Sequence, residues 1–181
     1  MYITPAKNPT KPNLPEIIRH DDLPEGAVKL ARIKNVINNG YEYLFIKNNE
    51  GLSIVRTRER YLTNGDLFYA CYQTDFPIEF LGWFDSALTD FQKTPIDGGL
   101  HAGAMTSADQ SVGGEMLCIQ RTTDGYAVLN RSRCRITVEQ SRRDLGHFDA
   151  QEIVFEKRFL FEGGLLNLIK DLAARYDAGL F

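Results

Sequence analysis

The chain has 181 residues, 43% of them apolar and 11% aromatic, and a formal charge of −3; this is enough apolar material for a core, and it excludes both a disordered chain and a protein that holds nucleic acid by bulk positive charge. No stretch approaches the roughly 18 to 20 apolar residues of a membrane helix, and MYITPAKNPTKPNLPE lacks the apolar segment of a secretory signal, so a cytoplasmic protein without membrane contact is expected. Cys71, Cys118 and Cys134 are odd in number and far apart in apolar sequence, which excludes a disulfide framework and a metal knuckle.

Residues 1–25 hold five of the seven prolines, Pro5, Pro9, Pro12, Pro15 and Pro24. Proline fixes φ and removes a backbone donor, so this segment reads as an extended arm. From Gly26 the runs AVKLARIKNVI, YEYLFIK, LSIVRTRERYL and DLFYACYQTDF are rich in β-branched and aromatic residues. The turn residues Asn38-Asn39-Gly40, Asn48-Asn49-Glu50-Gly51 and Thr63-Asn64-Gly65-Asp66 separate them, which predicts four antiparallel strands joined by hairpins. The period then changes: Phe80, Leu81, Phe84, Leu88 and Phe91 recur at helical spacing behind Pro77 and close a first unit over 26–93.

Residues 94–113 are rich in glycine and small side chains and read as a linker, or as a weak strand around Leu100 to Thr106. A second unit over 114–181 repeats the first, with EMLCIQR, a turn at Thr122 to Gly125, YAVLNRSRCRITV and QEIVFEKRFLF as strands. Leu165, Leu168, Ile169, Leu172 and Tyr176 then mark a helix. The repeat is visible in detail: GYEYLFIKNNEG and GEMLCIQRTTDG both set their bounding glycines 11 residues apart, with Lys47 or Arg121 before the turn. The offset between copies is 74 residues at these glycines, 75 at the arginine triplets and 85 between Phe76 and Phe161, which places an insertion near SRRDLGHFDA. The fold class is therefore α+β, two tandem antiparallel-sheet-plus-helix repeats forming one domain.

Charge is unevenly distributed, with net +3 over 1–60, −7 over 61–120, +4 over 121–143 and −3 over 144–181. The basic blocks contain RTRER and RSRCR. Side chains alternate along a strand, so Arg56, Arg58 and Arg60 are expected on one face, and likewise Arg131, Arg133 and Arg135. Three like charges in a row repel one another, whereas a phosphodiester backbone neutralises them. Tyr41 and Tyr43 lie on one face of the preceding strand, and rings beside cations suit single strands, whose bases stack while cations track the phosphates; Lys47 and Arg121 are counted with the arginine rows as candidate nucleic-acid-binding residues.

For chemistry the sequence offers little. His20, His101 and His147 fit neither a metal spacing nor a nucleophile motif, and GGLHAGAM lacks the lysine of a phosphate loop. No cofactor, metal site or catalytic group is expected.

Two units of a four-stranded sheet and a helix, with basic and aromatic strands, resemble the Whirly fold of single-strand-binding proteins and, in half-length form, single-strand-binding transcriptional coactivators. The resemblance covers roughly residues 26–176. It implies a homo-oligomer whose strand faces bind single-stranded DNA or RNA, with Arg56, Arg58, Arg131 and Arg133 on the backbone and Tyr41 or Tyr43 stacking on bases. The leading expectation is a non-enzymatic single-stranded nucleic-acid-binding protein. The alternative is an inhibitor or adaptor of a phage or mobile element that engages a basic protein through the acidic helical side carrying Asp85, Asp90 and Asp97.

Overall fold

Strand formation follows the hairpin grammar closely. A computed structural model describes residues 11–38, 40–49, 51–134 and 150–181. In it β1 (Val28–Lys34), β2 (Tyr41–Asn48), β3 (Gly51–Tyr61) and β4 (Leu67–Phe76) form an antiparallel sheet in sequence order, followed by α1 (Phe80–Gln92). A second sheet of β5 (Gln110–Val112), β6 (Glu115–Arg121), β7 (Gly125–Cys134) and β8 (Ala150–Glu156) repeats that order and leads into α2 (Lys157–Phe161) and α3 (Leu165–Asp177). The protein is thus an α+β structure of two tandem sheet-plus-helix repeats.

The bounding glycines explain why both copies turn at the same places. Gly40 and Gly114 enter β2 and β6 with φ of 95° and 79°, a region that disfavours a side chain. Gly51 and Gly125 open β3 and β7 where a Cβ would lie 2.6 Å from the Phe76 carbonyl oxygen and 2.0 Å from that of Phe155. Helices α1 and α3 are each 13 residues long and start 85 residues apart, as the Phe76 and Phe161 offset suggests. Two details differ. β4 ends at Phe76 but β8 ends at Glu156, and α2 fills the interval, so Phe161 is helical and is not the counterpart of a strand end. The first strand of the second sheet is the three-residue β5; Leu100 to Thr106 adds only an isolated bridge between Thr106 and Gln120. The segment assigned the insertion lies mostly outside the described residues.

One core joins the two copies. The inner face of the first sheet presents Tyr43, Phe45, Leu52, Ile54 and Phe76, and the second presents Leu117, Ile119, Tyr126, Val128, Ile153 and Phe155. Each helix crosses to the other copy. On α1, Phe84 meets Phe155 edge-on at 5.4 Å and Phe91 meets Tyr126 at 6.1 Å, while α3 approaches β1. Each such aromatic pair adds about 0.5–1.5 kcal/mol beyond its burial, so neither half is complete without its neighbour.

The outer face of the first sheet is also covered, by the proline-rich segment. Leu14 and Ile17 are 3% exposed, and Ile17 packs on Leu44, Ile46 and Val55. A prolyl chain satisfies few of its own backbone groups, and β4 side chains do so here. The Leu14 amide donates to Asp75 at 3.0 Å, the Ile17 amide donates to Gln73 at 2.8 Å, and Gln73 Nε2 donates to the Pro15 carbonyl at 3.2 Å. No helix among the described residues is long and apolar enough to cross a membrane.

Candidate nucleic-acid interface

Hairpin register places the first arginine row. In the β2–β3 ladder Tyr41 lies opposite Arg58 and Tyr43 opposite Arg56; in the β3–β4 ladder Arg56 faces Tyr72, Arg58 faces Ala70 and Arg60 faces Phe68. Residues paired across a ladder share a sheet face, so three guanidiniums and three accessible rings form one surface. The Arg56 guanidinium lies 5.1 Å from the Tyr41 ring centre and 5.2 Å from that of Tyr72, Arg58 lies 4.8 Å from Tyr41, and Arg60 lies 5.1 Å from Phe68. Arg58 also donates to the Tyr41 hydroxyl at 3.0 Å. Each cation–π contact at such a surface contributes about 0.5–1 kcal/mol and leaves the edge of the guanidinium free to donate. No carboxylate of the described residues forms an ion pair with Arg56, Arg58 or Arg60; the pairs on this sheet are those of Arg32 and Lys34 with Glu42.

Tyr43, expected to stack on bases, is core. It is 1% exposed, its hydroxyl donates to the Val154 carbonyl at 3.3 Å, and its ring lies 5.4 Å from Phe159. Burial pushes its phenol above the ordinary value, against the pull of the nearby Arg56 charge. Tyr43 therefore marks where the covered part of the inner face ends and the open part begins. Lys47 lies at the opposite end of β2, opposite Leu52 and roughly 20 Å from Tyr41 at the rise of a strand, and does not join the row.

The second arginine row does not exist as a row. Sheet pairing equates Tyr43 opposite Arg56 with Leu117 opposite Asn130, so Asn130 occupies the counterpart of Arg56 and Arg131 falls one residue later, on the other face. Arg131 donates to Asp109 at 2.8 Å and lies near Cys118, whose thiol burial pushes up to about 11. The ladder then breaks between Asn130 and Cys134, and Arg133 returns to the inner side. Its side chain is 4% exposed, it grips Glu115 through two donors at 2.8 and 2.6 Å, and it donates to the Pro12 carbonyl at 2.5 Å. The expectation that both residues face a phosphate backbone from one surface is overturned: an irregular strand sends them to opposite sides, each with its own carboxylate. Arg135 lies outside the described residues. Arg121 is tied to the end of α1, 4.8 Å over the Phe91 ring and donating to the Phe91 carbonyl at 3.2 Å.

The structure thus brings together Arg56, Arg58, Arg60 and Tyr41 from the expected set, and adds Tyr72 and Phe68. Neither followed from the turn as read: counting outward from Thr63 to Asp66 sets Arg60 opposite Tyr69 and Arg56 opposite Gln73, whereas the loop runs from 62 to 66 and sets them opposite Phe68 and Tyr72. Elsewhere, Asp85 pairs with Lys170 of α3 at 3.3 Å and Asp90 with Lys93, so the acidic helical side is partly neutralised from within. His20 meets the Tyr69 hydroxyl at 3.2 Å, His101 is exposed in its loop, and His147 lies outside the described residues. Among the described residues no three His, Cys, Asp or Glu side chains could hold a metal. Comparison of the chain with protein-family models, curated proteins and solved structures found no match.

Proposed function

We propose that the protein binds single-stranded nucleic acid, DNA or RNA, on the open end of its first sheet and does no chemistry on it. The observation that carries this reading is the row Arg56, Arg58 and Arg60, without a carboxylate partner among the described residues and braced by Tyr41, Tyr72 and Phe68. Same-face residues of a strand recur about every 6.6 Å, a step that lets successive guanidiniums meet successive phosphates of a stretched strand. Tyr72, 53% exposed, offers a ring face to a base. The order of sheets and helices, similar to the Whirly arrangement, supports the same reading. The interior of that sheet gives no alternative use for three like charges.

The test is fluorescence anisotropy of a labelled single-stranded oligonucleotide at several salt concentrations, with blunt duplex as control. Each phosphate neutralised contributes about −0.7 to the slope of log affinity against log salt for single strands. Replacing Arg56, Arg58 and Arg60 together by Ala is expected to weaken binding and flatten the slope by about 2. A triple variant that binds as tightly, with the same slope, refutes the proposal.

A further inference from the structure

Beside the open end of the first sheet lies a cavity of about 610 Å³ that belongs to both copies. Ile37 and Asn38, in the turn between β1 and β2, form one wall; the β6–β7 turn and the join of β8 with α2 form the rest. Five charged side chains line it, Arg121, Lys157 and Arg158 against Asp124 and Glu156. The Glu156 carboxylate is already engaged, accepting from the Asn38 amide at 3.1 Å and the Asn35 amide at 3.5 Å. Lys157 is exposed and has no ion pair among the described residues. Arg158 has Glu162 at 3.6 Å, but both side chains are well exposed and such a pair contributes little. Arg121 is held by the Phe91 carbonyl, which fixes its position and leaves its charge unneutralised. The Thr122 hydroxyl, on the same wall, is buried without a hydrogen-bond partner among the described residues, a donor that the folded chain leaves unused. The cavity is therefore built for an anion.

Its position says which anion. The turn that walls it leads into Tyr41, the ring that lies under Arg56 and Arg58. Tyr43, opposite Arg56, reaches the Val154 carbonyl two residues before Glu156. The arginine row and the cavity thus flank the start of β2, the row on the first copy and the cavity at the seam with the second. Three row arginines and three cavity cations, short of carboxylates and set side by side, suit one extended polyanion. A second copy of the chain would have to bring acids here, and Asp85 and Asp90 of its acidic helical side are bound to Lys170 and Lys93.

Resting on the single-strand reading above, we infer that this cavity is a second phosphate subsite, onto which the strand passes from the arginine row, so that one strand is held by both copies. Lys157 and Arg158 neutralise its phosphates, Arg121 adds a fixed charge behind them, and Thr122 gains the acceptor it lacks. The second copy, whose own arginines at 131 and 133 are turned to Asp109 and Glu115, takes part in binding through its β6–β7 turn and the start of α2.

The experiment titrates a labelled single strand of about 12 nucleotides over a range of salt, with hydroxyl ends and, separately, with a 5′- or 3′-terminal phosphate. Lys157→Ala with Arg158→Ala is expected to flatten the salt slope by about 1.4, from two phosphates at about 0.7 each, while saturation stays at one strand per chain. Lys29→Ala with Lys47→Ala removes the same charge from the opposite end of the β1–β2 pair and is expected to leave the slope unchanged; circular dichroism checks the fold of both variants. A slope that Lys157→Ala with Arg158→Ala leaves unchanged, or that the control pair lowers as much, overturns the inference and leaves the single-strand reading standing. Saturation at two strands per chain does the same, and so does an effect confined to strands with a terminal phosphate, which makes the cavity an end-binding site. Dimerisation that the cavity variant abolishes, with the slope unchanged, overturns it in favour of a second copy. Failure of the parent to bind the single strand at low salt refutes the underlying reading itself.

Discussion

Arg133 and Arg58 look alike in sequence, and a stability measurement separates them. Replacing Arg133 by Met removes the donors that satisfy Glu115, a carboxylate on a side chain 3% exposed, and leaves it the Asn130 amide at 2.6 Å. The Pro12 carbonyl loses its donor as well. Breaking one partner of such a buried pair costs about 3–5 kcal/mol, roughly a fifth or more of a total stability on the order of 5–15 kcal/mol. With a urea slope of about 2 kcal/mol per M, the unfolding midpoint is expected to fall by roughly 2 M without a change in slope. Adding Glu115→Met to that variant removes the stranded charge and is expected to restore more than half of the loss, because a buried pair replaced whole by apolar groups is close to neutral. Arg58→Ala serves as control: its loss is confined to surface contacts with Tyr41 and stays near 1 kcal/mol. A midpoint for Arg133→Met within about 0.5 M of the parent refutes the assignment of Arg133 to the interior.

Asp75→Ala strands the Leu14 amide and the Ser53 hydroxyl, both now bonded to its carboxylate, and takes one of its acceptors from the Gln73 amide. At about 1–3 kcal/mol for each group left buried and unpaired, a loss of several kcal/mol in urea unfolding is expected, with faster proteolysis between residues 11 and 25; an unchanged cleavage rate counts against the arm being held there. Burial raises the Cys118 thiol from 9.0 to about 11, so at pH 8 its thiolate fraction is about a hundredfold below that of the unfolded chain, and alkylation of Cys118 in the native protein is expected to be slower by at least that factor. Because the folded value is the higher one, the unfolded chain ionises first, and stability is expected to decline as pH rises from 9 toward 11.

Local grammar made most strands, the turns and the two long helices legible, since hairpin residues and a switch of period from 2 to 3.6 are short-range signals; the short α2 was hidden in QEIVFEKRFLF, which reads as a strand. Long-range register was less accessible. The equation of RTRER with RSRCR aligned the arginines by letter, at an offset of 75, while the backbone aligns at 74. One residue is invisible in composition and decisive on a pleated strand, because it turns every side chain to the opposite face. Tyr43 was misread for a related reason: it shares the alternation of Tyr41, and only the approach of β8, to which its hydroxyl bonds, determines that one ring is covered and the other open. The covering of the outer face by residues 14–17 was likewise unreadable, because proline predicts an extended conformation and does not say what the extended chain lies against.

The two copies surround equivalent positions differently. Where the first sheet places Arg56 between two rings at an open edge, the second places Asn130, fully buried, whose amide donates to the Asp75 carbonyl at 2.8 Å and to Glu115 at 2.6 Å. The start of the arm then closes that end of the second sheet, with the Lys11 amide donating to the Ser132 carbonyl and Arg133 reaching the Pro12 carbonyl. Among the described residues nothing equivalent closes the first sheet. The position that in one copy lies at the open end of the sheet is, in the other, part of the clamp that joins the sheets, so the pair forms one scaffold with the first sheet's end left open among the described residues. The same difference appears in the unequal strands: β3 and β4 extend into a ribbon beyond their sheet, whereas β7 bends at Asn130 and directs its remaining arginines to Asp109 and Glu115.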